Sequence, residues 1–361
     1  VTDDVVSSGI ATAEPAGRSP VDARPGARPP HRRHRTLPLL AGLGALALAV
    51  VLSLLVGANP ISPDAVWSAL TGAGSSEARF VVWDQRVPRT VAALAVGASL
   101  GVAGALMQAF TRNPLADPGI LGVNAGAGFA VAAGFAFLGV TAPGEIAWLA
   151  CGGALVVTLV VYTIGSGGRE QSSAARLTVT GVAFGAVLAG LTTGITITHP
   201  DAFDRMRGWN AGSLLERDLG VVVPVLPFLA AGLVLAAASA RSLNAIALGP
   251  DVARAQGVSV GRSRVLVLAA VTLLAGGATA IAGPIAFVGL VVPHLVRWTV
   301  GSDQRRILAG SVVVGCVLVL CSDVVGRIAV LPGEMPVGLV TAFVGAPVLI
   351  ALARRRTASG L

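Results

Sequence analysis

Residues 221–240 read VVVPVLPFLAAGLVLAAASA, twenty positions without a charge. At about 1.5 Å rise per residue such a run is about 30 Å long as a helix, the thickness of a bilayer's hydrocarbon core. Comparable apolar runs lie near 37–57, 90–110, 119–138, 146–165, 175–198, 264–282, 285–300, 307–331 and 335–353. The whole chain of 361 residues is 54% hydrophobic and 12% charged, whereas a soluble domain carries charge on about 25% of its residues. Half that charge cannot clothe a water-facing surface, which excludes an ordinary cytosolic enzyme. The 46 glycines, without a Gly-X-Y period, suit helices that approach closely inside a membrane. The fold expected is therefore all-α and polytopic, with ten transmembrane helices and both termini on one side.

Charge gives the orientation. All 26 basic residues are arginine, and the net charge is +8. With the N-terminus placed inside, nineteen arginines fall on inner segments. Seven fall outside: Arg79, Arg86, Arg89, Arg205, Arg207, Arg217 and Arg327. That bias predicts N-in, C-in by the positive-inside rule, and it reads the basic pI as topology rather than nucleic-acid binding. Without lysine there is no Walker A loop, whose lysine must reach the phosphates, and no Schiff-base chemistry. Cys151, Cys316 and Cys321 lie in apolar runs with no CxxC spacing. They read as small packing residues. His31 and His34 sit in a basic tail, so no metal site is expected.

Residues 1–36 are rich in Pro, Arg, Ala and Ser and are expected to be a disordered basic cytoplasmic tail. The membrane-spanning body is then 37–353, with a cytoplasmic loop at about 241–263 and a cytoplasmic C-terminal tail at 354–361. Two spans are short and broken. Span 119–138 follows Asn113-Pro114-Leu115-Ala116-Asp117-Pro118, and span 285–300 follows Gly283-Pro284 and contains Pro293. Proline removes a backbone donor, and irregular backbone at membrane depth must be buried or line a cavity. Gln108 and Asp117 are expected to satisfy that backbone. His294 is expected to make a helix-terminus hydrogen bond rather than act as a pH switch. Gly97 to Gly104 and Gly276 to Gly283 are equal seven-residue steps, a weak echo of an inverted repeat.

Several stretches go beyond composition: Arg86-Val87-Pro88-Arg89, leading to Gly104-Ala105-Leu106-Met107-Gln108; Arg112-Asn113-Pro114-Leu115-Ala116-Asp117-Pro118; Gly283-Pro284-Ile285-Ala286-Phe287-Val288-Gly289 through Pro293-His294 and Arg297; and Asp323, Arg327 and Glu334-Met335-Pro336-Val337-Gly338. Over about residues 80–353 the chain resembles the FecCD-type permeases. These are the membrane subunits of ABC importers for iron–siderophore, haem and vitamin B12.

The resemblance implies a multi-pass protein of the bacterial plasma membrane, not itself an enzyme. Its expected partners are a second permease subunit (identical or a paralogue), two ATP-binding subunits, an extracellular or periplasmic substrate-binding protein, and membrane lipid, with no nucleic acid. No cofactor or metal is expected on this chain; ATP and Mg belong to the partner ATPases. Ferric siderophores are the expected cargo, carried by alternating access at a dimer interface, with haem, vitamin B12 or ion-gradient-driven transport as rival readings.

It also implies three sites. Arg86, Arg89 and Arg327 would grip carboxylates of the binding protein, for which the arginine fork is suited, though Asp323 and Arg327 also have the spacing of a helical ion pair. Leu248, Gly249, Pro250, Asp251, Val252, Ala253, Arg254, Ala255, Gln256, Gly257 and Val258 would couple the permease to its ATPase. The fifth span would line the pathway, its hydroxyls being Thr178, Thr180, Thr192, Thr193 and Thr196, which could equally bond back to their own helix.

Overall fold

The computed structural model describes residues 37–166, 174–215 and 217–358; the tail expected to be disordered lies outside them. Ten principal helices follow in order: α1 (Leu37–Leu55), α2 (Val87–Thr111), α3 (Val123–Ala133), α4 (Pro143–Ser166), α5 (Ala174–Thr198), α6 (Leu219–Ala247), α7 (Val260–Ala282), α8 (Val288–Val300), α9 (Gln304–Ala329) and α10 (Val337–Ala358). Each coincides with one of the apolar runs. Among the described residues, seven helices are long and apolar enough to cross a membrane, and three shorter apolar ones accompany them.

The charged ends of the helices lie further out than hydropathy alone suggests. A short helix Ser76–Arg79 and a π-helical stretch Phe80–Arg86 run without a break into α2. The arginines at 86 and 89 therefore sit inside helix rather than before it. At its other end α6 continues past Arg241 to Ala247, so the loop expected over 241–263 contracts to 248–259. Helix α9 starts at Gln304 because Asp303 caps it, accepting the Arg305 N–H at 3.0 Å. The last helix runs to Ala358, five residues beyond the expected end of its span.

Both expected breaks lie ahead of their helices, and Pro293 sits inside continuous α8 rather than breaking it. Before α3 lies a single 3-10 turn, Pro118–Leu121, and after it a π turn, Gly134–Leu138. Before α8 the chain is irregular, with Gly283 at φ 75° and Phe287 at φ 68°. For Phe287 this left-handed conformation is an unusual one. Glycine lets the interrupted helices approach. A Cβ on Gly104 would collide with the Gly289 carbonyl, and Gly97 and Gly315 pack backbone to backbone in the same way, so α2 touches α8 and α9 main chain to main chain. The seven-residue echo is not a repeated contact: Gly276 meets only Ala154, and Gly283 ends a helix.

Helix α2 is enclosed, whereas α1 and α5 leave most of their surface uncovered within the single chain. Leu274 of α7 packs on Gly232 of α6, and Leu229 of α6 on Gly277 of α7. That pairing makes α6 and α7 one antiparallel unit.

Candidate functional site

At one end of the molecule α1 finishes at Leu55, leaving carbonyls with no partner inside the helix. Arg86 Nη1 donates to the Leu54 and Leu55 carbonyls at 2.7 and 2.9 Å, and its Nη2 to the Asn59 carbonyl at 2.7 Å. Arg327 Nη1 donates to the Ser53 and Val56 carbonyls at 2.6 and 2.9 Å, and its Nη2 reaches Ser53 Oγ at 3.1 Å. Two arginines distant in sequence thus finish one helix.

Asp323 binds the group together. Its Oδ1 accepts from Arg89 Nε and Nη2 at 2.9 and 2.8 Å, and its Oδ2 from Arg327 Nε and Nη2 at 3.0 and 2.6 Å. Arg89 then spends Nη1 on Glu334 Oε2 at 2.5 Å. Two cations, Arg89 and Arg327, and two carboxylates form one paired network, as charges taken out of water must, while Arg86 beside them is held by backbone carbonyls alone. The side chains of Asp323 and Arg327 are 1% and 2% exposed, that of Arg89 is 11%. The arginines expected to face outward are therefore placed differently. Arg86 and Arg327 are buried and committed to α1, and the Asp323–Arg327 helical pair exists as part of a larger cluster. Only Arg89, with half-buried Glu334 beside it, reaches the rim.

In the last turn of α2, Gln108 reaches the first turn of α8, where Pro293 leaves the Gly289 carbonyl without its helical donor. Its Nε2 donates to the Gly289 and Leu290 carbonyls at 3.3 and 3.2 Å, and its Oε1 accepts from Arg297 Nη1 at 2.5 Å. Asp117 Oδ1 accepts the Gly119 N–H at 2.8 Å. His294 Nδ1 lies 3.1 Å from the Leu290 carbonyl of its own helix, in the middle of α8 rather than at the terminus expected.

At the opposite end Arg112, left-handed at φ 53°, sends Nη2 to the Ile246 carbonyl at 2.6 Å. Asn244 donates to Asp303 Oδ1 and accepts the Gln304 N–H, each at 2.9 Å. These bonds tie the ends of α2, α6 and α9. From α6 the chain turns through Gly249, at φ 123°, into a short helix Pro250–Ala255, and leaves through Gly257 at φ 77°. Ala253 is fully buried against Ala245 and Val260, with Ile246 and Val258 packed around them. Leu248, 68% exposed, and Val252 face away from this contact. Asp251 and Arg254 pair at 2.7 Å on the exposed side. The segment is thus anchored to both α6 and α7 and presents apolar groups outward.

Thr192, Thr193 and Thr196 of α5 donate to the carbonyls of Leu188, Ala189 and Thr193, at 2.8, 2.9 and 3.0 Å, so these hydroxyls bond to their own helix. Thr178 and Thr180 are half-buried. Among the described residues no group of three or more His, Cys, Asp or Glu is placed to hold a metal.

The sequence pointed to the Asp323–Arg327 pair. It did not show that Arg89 joins it, nor that Ser53 and the α1 carbonyls receive the arginines. The one usable signal was the scarcity of charge in the apolar runs, which makes any charge there need a partner.

The chain's relatives agree with this architecture. Residues 45–355 match the model of the FecCD transport family. The ferric enterobactin transport system permease protein of Escherichia coli (strain K12) is 49% identical over 316 residues, covering 87% of this chain and 94% of the relative. A probable siderophore transport system permease protein of Bacillus subtilis (strain 168) is 39% identical, covering 86% and 93%. The vitamin B12 import system permease protein of Yersinia enterocolitica (serotype O:8 / biotype 1B, strain NCTC 13174 / 8081) is 37% identical, covering 87% and 92%. A solved metal-chelate type ABC transporter in an inward-facing conformation superposes with a TM-score of 0.76 at 26% identity, over 89% of this chain and 99% of that one. With the described helices in the expected order, irregular turns at Pro118 and Pro284, and a family model matched over residues 45–355, the chain belongs to the FecCD transport family.

Proposed function

We propose that this chain is the permease subunit of an ATP-driven importer of ferric siderophores. The observation that carries the cargo is the 49% identity, over nearly the whole helical body, to a permease named for ferric enterobactin. The relative named for vitamin B12 is less similar, at 37%.

The mechanism follows from the two ends. The segment 248–258 meets a partner ATPase with Leu248 and Val252. Because Ala253 is wedged between α6 and α7, displacement of the segment moves those helices as a unit, a rigid-body transition. ATP and Mg are handled by the two ATPase subunits. A second permease, identical or a paralogue, covers the open flank of α5, and cargo passes between the two. With the N-terminus inside, the arginine cluster faces the substrate-binding protein. Arg89 is its docking pole: an incoming carboxylate competes with Glu334 for Nη1, while Arg86 and Arg327 keep the base of the cluster rigid. The α5 hydroxyls proposed along the pathway are Thr178, Thr180, Thr192, Thr193 and Thr196, of which Thr193 is exposed on the open flank.

Deletion of the chain in its host, followed by uptake of radiolabelled ferric catecholate siderophore, ferric citrate, haem and cobalamin, tests the cargo. Selective loss of the ferric siderophore supports the reading. Selective loss of cobalamin or haem moves the chain to another branch of the family, and uptake that persists without an ATPase partner ends the ATP-driven mechanism.

A further inference from the structure

A groove of about 610 Å³ opens between α6 and α9, floored by Val102 of α2. That volume falls within the range of small-ligand sites, about 300–1,000 Å³. Along α6 its wall is Leu233, Ala237 and Arg241, spaced four residues apart on one helix face; along α9 it is Arg305, Ala309 and Val312. The wall is apolar for most of its length and cationic at one end. Small residues make the cleft, since Ala237 and Ala309 stand where larger side chains would fill it.

Both arginines are exposed, and no acidic residue lines the groove among the described residues. Asp303, two residues before Arg305, is occupied by Asn244 Nδ2 and the Arg305 backbone N–H, and stands 3.8 Å from Arg306 Nε. The arginines lie at the same end as the coupling segment, because the α6 C-terminus and the α9 N-terminus are joined there through Asn244.

We infer that this groove is a binding site for an anionic phospholipid, with an acyl chain against Leu233, Ala237 and Val312 and the phosphate between Arg241 and Arg305. The charge arrangement selects this occupant. A partner helix would leave two arginines facing an apolar surface, whereas a phosphate esterified to an acyl chain matches both halves of the groove. Basic pockets at helix ends hold anionic headgroups by this logic. The inference stands on the groove alone and does not depend on the identity of the cargo.

The test is native mass spectrometry of the full permease–ATPase complex, released from nanodiscs of phosphatidylglycerol and phosphatidylcholine with identical acyl chains. Each arginine beside an anionic headgroup is worth about fivefold, so wild type should retain phosphatidylglycerol over phosphatidylcholine by roughly twentyfold. Arg241→Gln with Arg305→Gln should bring the ratio near unity, while Arg262→Gln, an exposed arginine outside the groove, leaves it unchanged. Ala237→Phe should reduce retention of both lipids. Equal retention of the two lipids by wild type, or a preference that survives the double substitution, overturns the inference. So does displacement of the lipid by inorganic phosphate alone, which would make the site one for a free anion. Efficient disulfide cross-linking of Ala237→Cys between copies, in a Cys321→Ala background, would show the groove covered by protein and overturn it as well.

Discussion

Replacing Asp323 by asparagine removes the charge on which the arginine cluster turns. The carboxylate receives four donors from Arg89 and Arg327 at 2.6–3.0 Å. Without it, Arg327 loses its carboxylate and Arg89 keeps only Glu334. Two unit charges about 4 Å apart at an effective dielectric of about 20 interact by about 4 kcal/mol. Removing one partner of a buried pair costs about 3–5 kcal/mol, and the two figures agree. Against a total stability of about 5–15 kcal/mol, the variant should be severely weakened. The assay is reversible unfolding in mixed micelles, followed by helical circular dichroism. A double-mutant cycle with Arg89→Met supplies the control: the double variant should lose less than the sum of the singles, with a coupling of about 1–3 kcal/mol. An Asp323→Asn protein within about 0.5 kcal/mol of wild type, or strictly additive substitutions, would refute the idea that the cluster is one buried network.

Three further outcomes are expected. Gly104→Ala places a Cβ against the Gly289 backbone, an obstruction that cannot rotate away. It should cost about 3 kcal/mol, the upper end of overpacking penalties, read as loss of the monodisperse peak in size-exclusion chromatography. Leu248→Asp with Val252→Asp changes only outward-facing groups, so unfolding should stay within about 0.5 kcal/mol of wild type while co-purification of the ATPase is lost. Asp303 has its pKa held below the usual carboxylate value by the Asn244 amide and the Arg305 N–H. A depressed folded-state pKa stabilises above the unfolded value of about 3.9 and is lost as pH falls through the folded one. The deficit of Asp303→Asn relative to wild type should therefore hold steady above pH about 5 and vanish in strong acid, as a thermal-melt series across pH would show.

Hydropathy located all ten principal helices because each must cross or enter an apolar medium, and that demand is written residue by residue. It placed their ends less well. Arg86, Arg89 and Arg241 read as boundaries, yet each lies within or beside continuous helix, because partners elsewhere in the chain or water at the helix end accommodate the charge. Pro118 and Pro284 marked the two irregular stretches, whereas Pro293 lies within α8; Asp117 performs a local repair signalled by local sequence, while Gln108 bonds Gly289 and Leu290 far along the chain. Phe287 at φ 68° was not legible, since nothing in its residue type favours a left-handed backbone. The arginine cluster was half-visible. Asp323 and Arg327 lie one helical turn apart, whereas Arg89, Ser53 and Glu334 come together only through the tertiary fold. Burial of Arg86 and Arg327 followed from where α1 ends in space, which no spacing in the sequence encodes.

The central claim is that this chain moves only when nucleotide-driven partners act on residues 248–258. ATP-dependent uptake of a ferric siderophore into proteoliposomes holding the permease, its ATPases and the binding protein tests it most directly. The account predicts accumulation by wild type and none by the folded Leu248→Asp/Val252→Asp variant. Equal accumulation by both would contradict it.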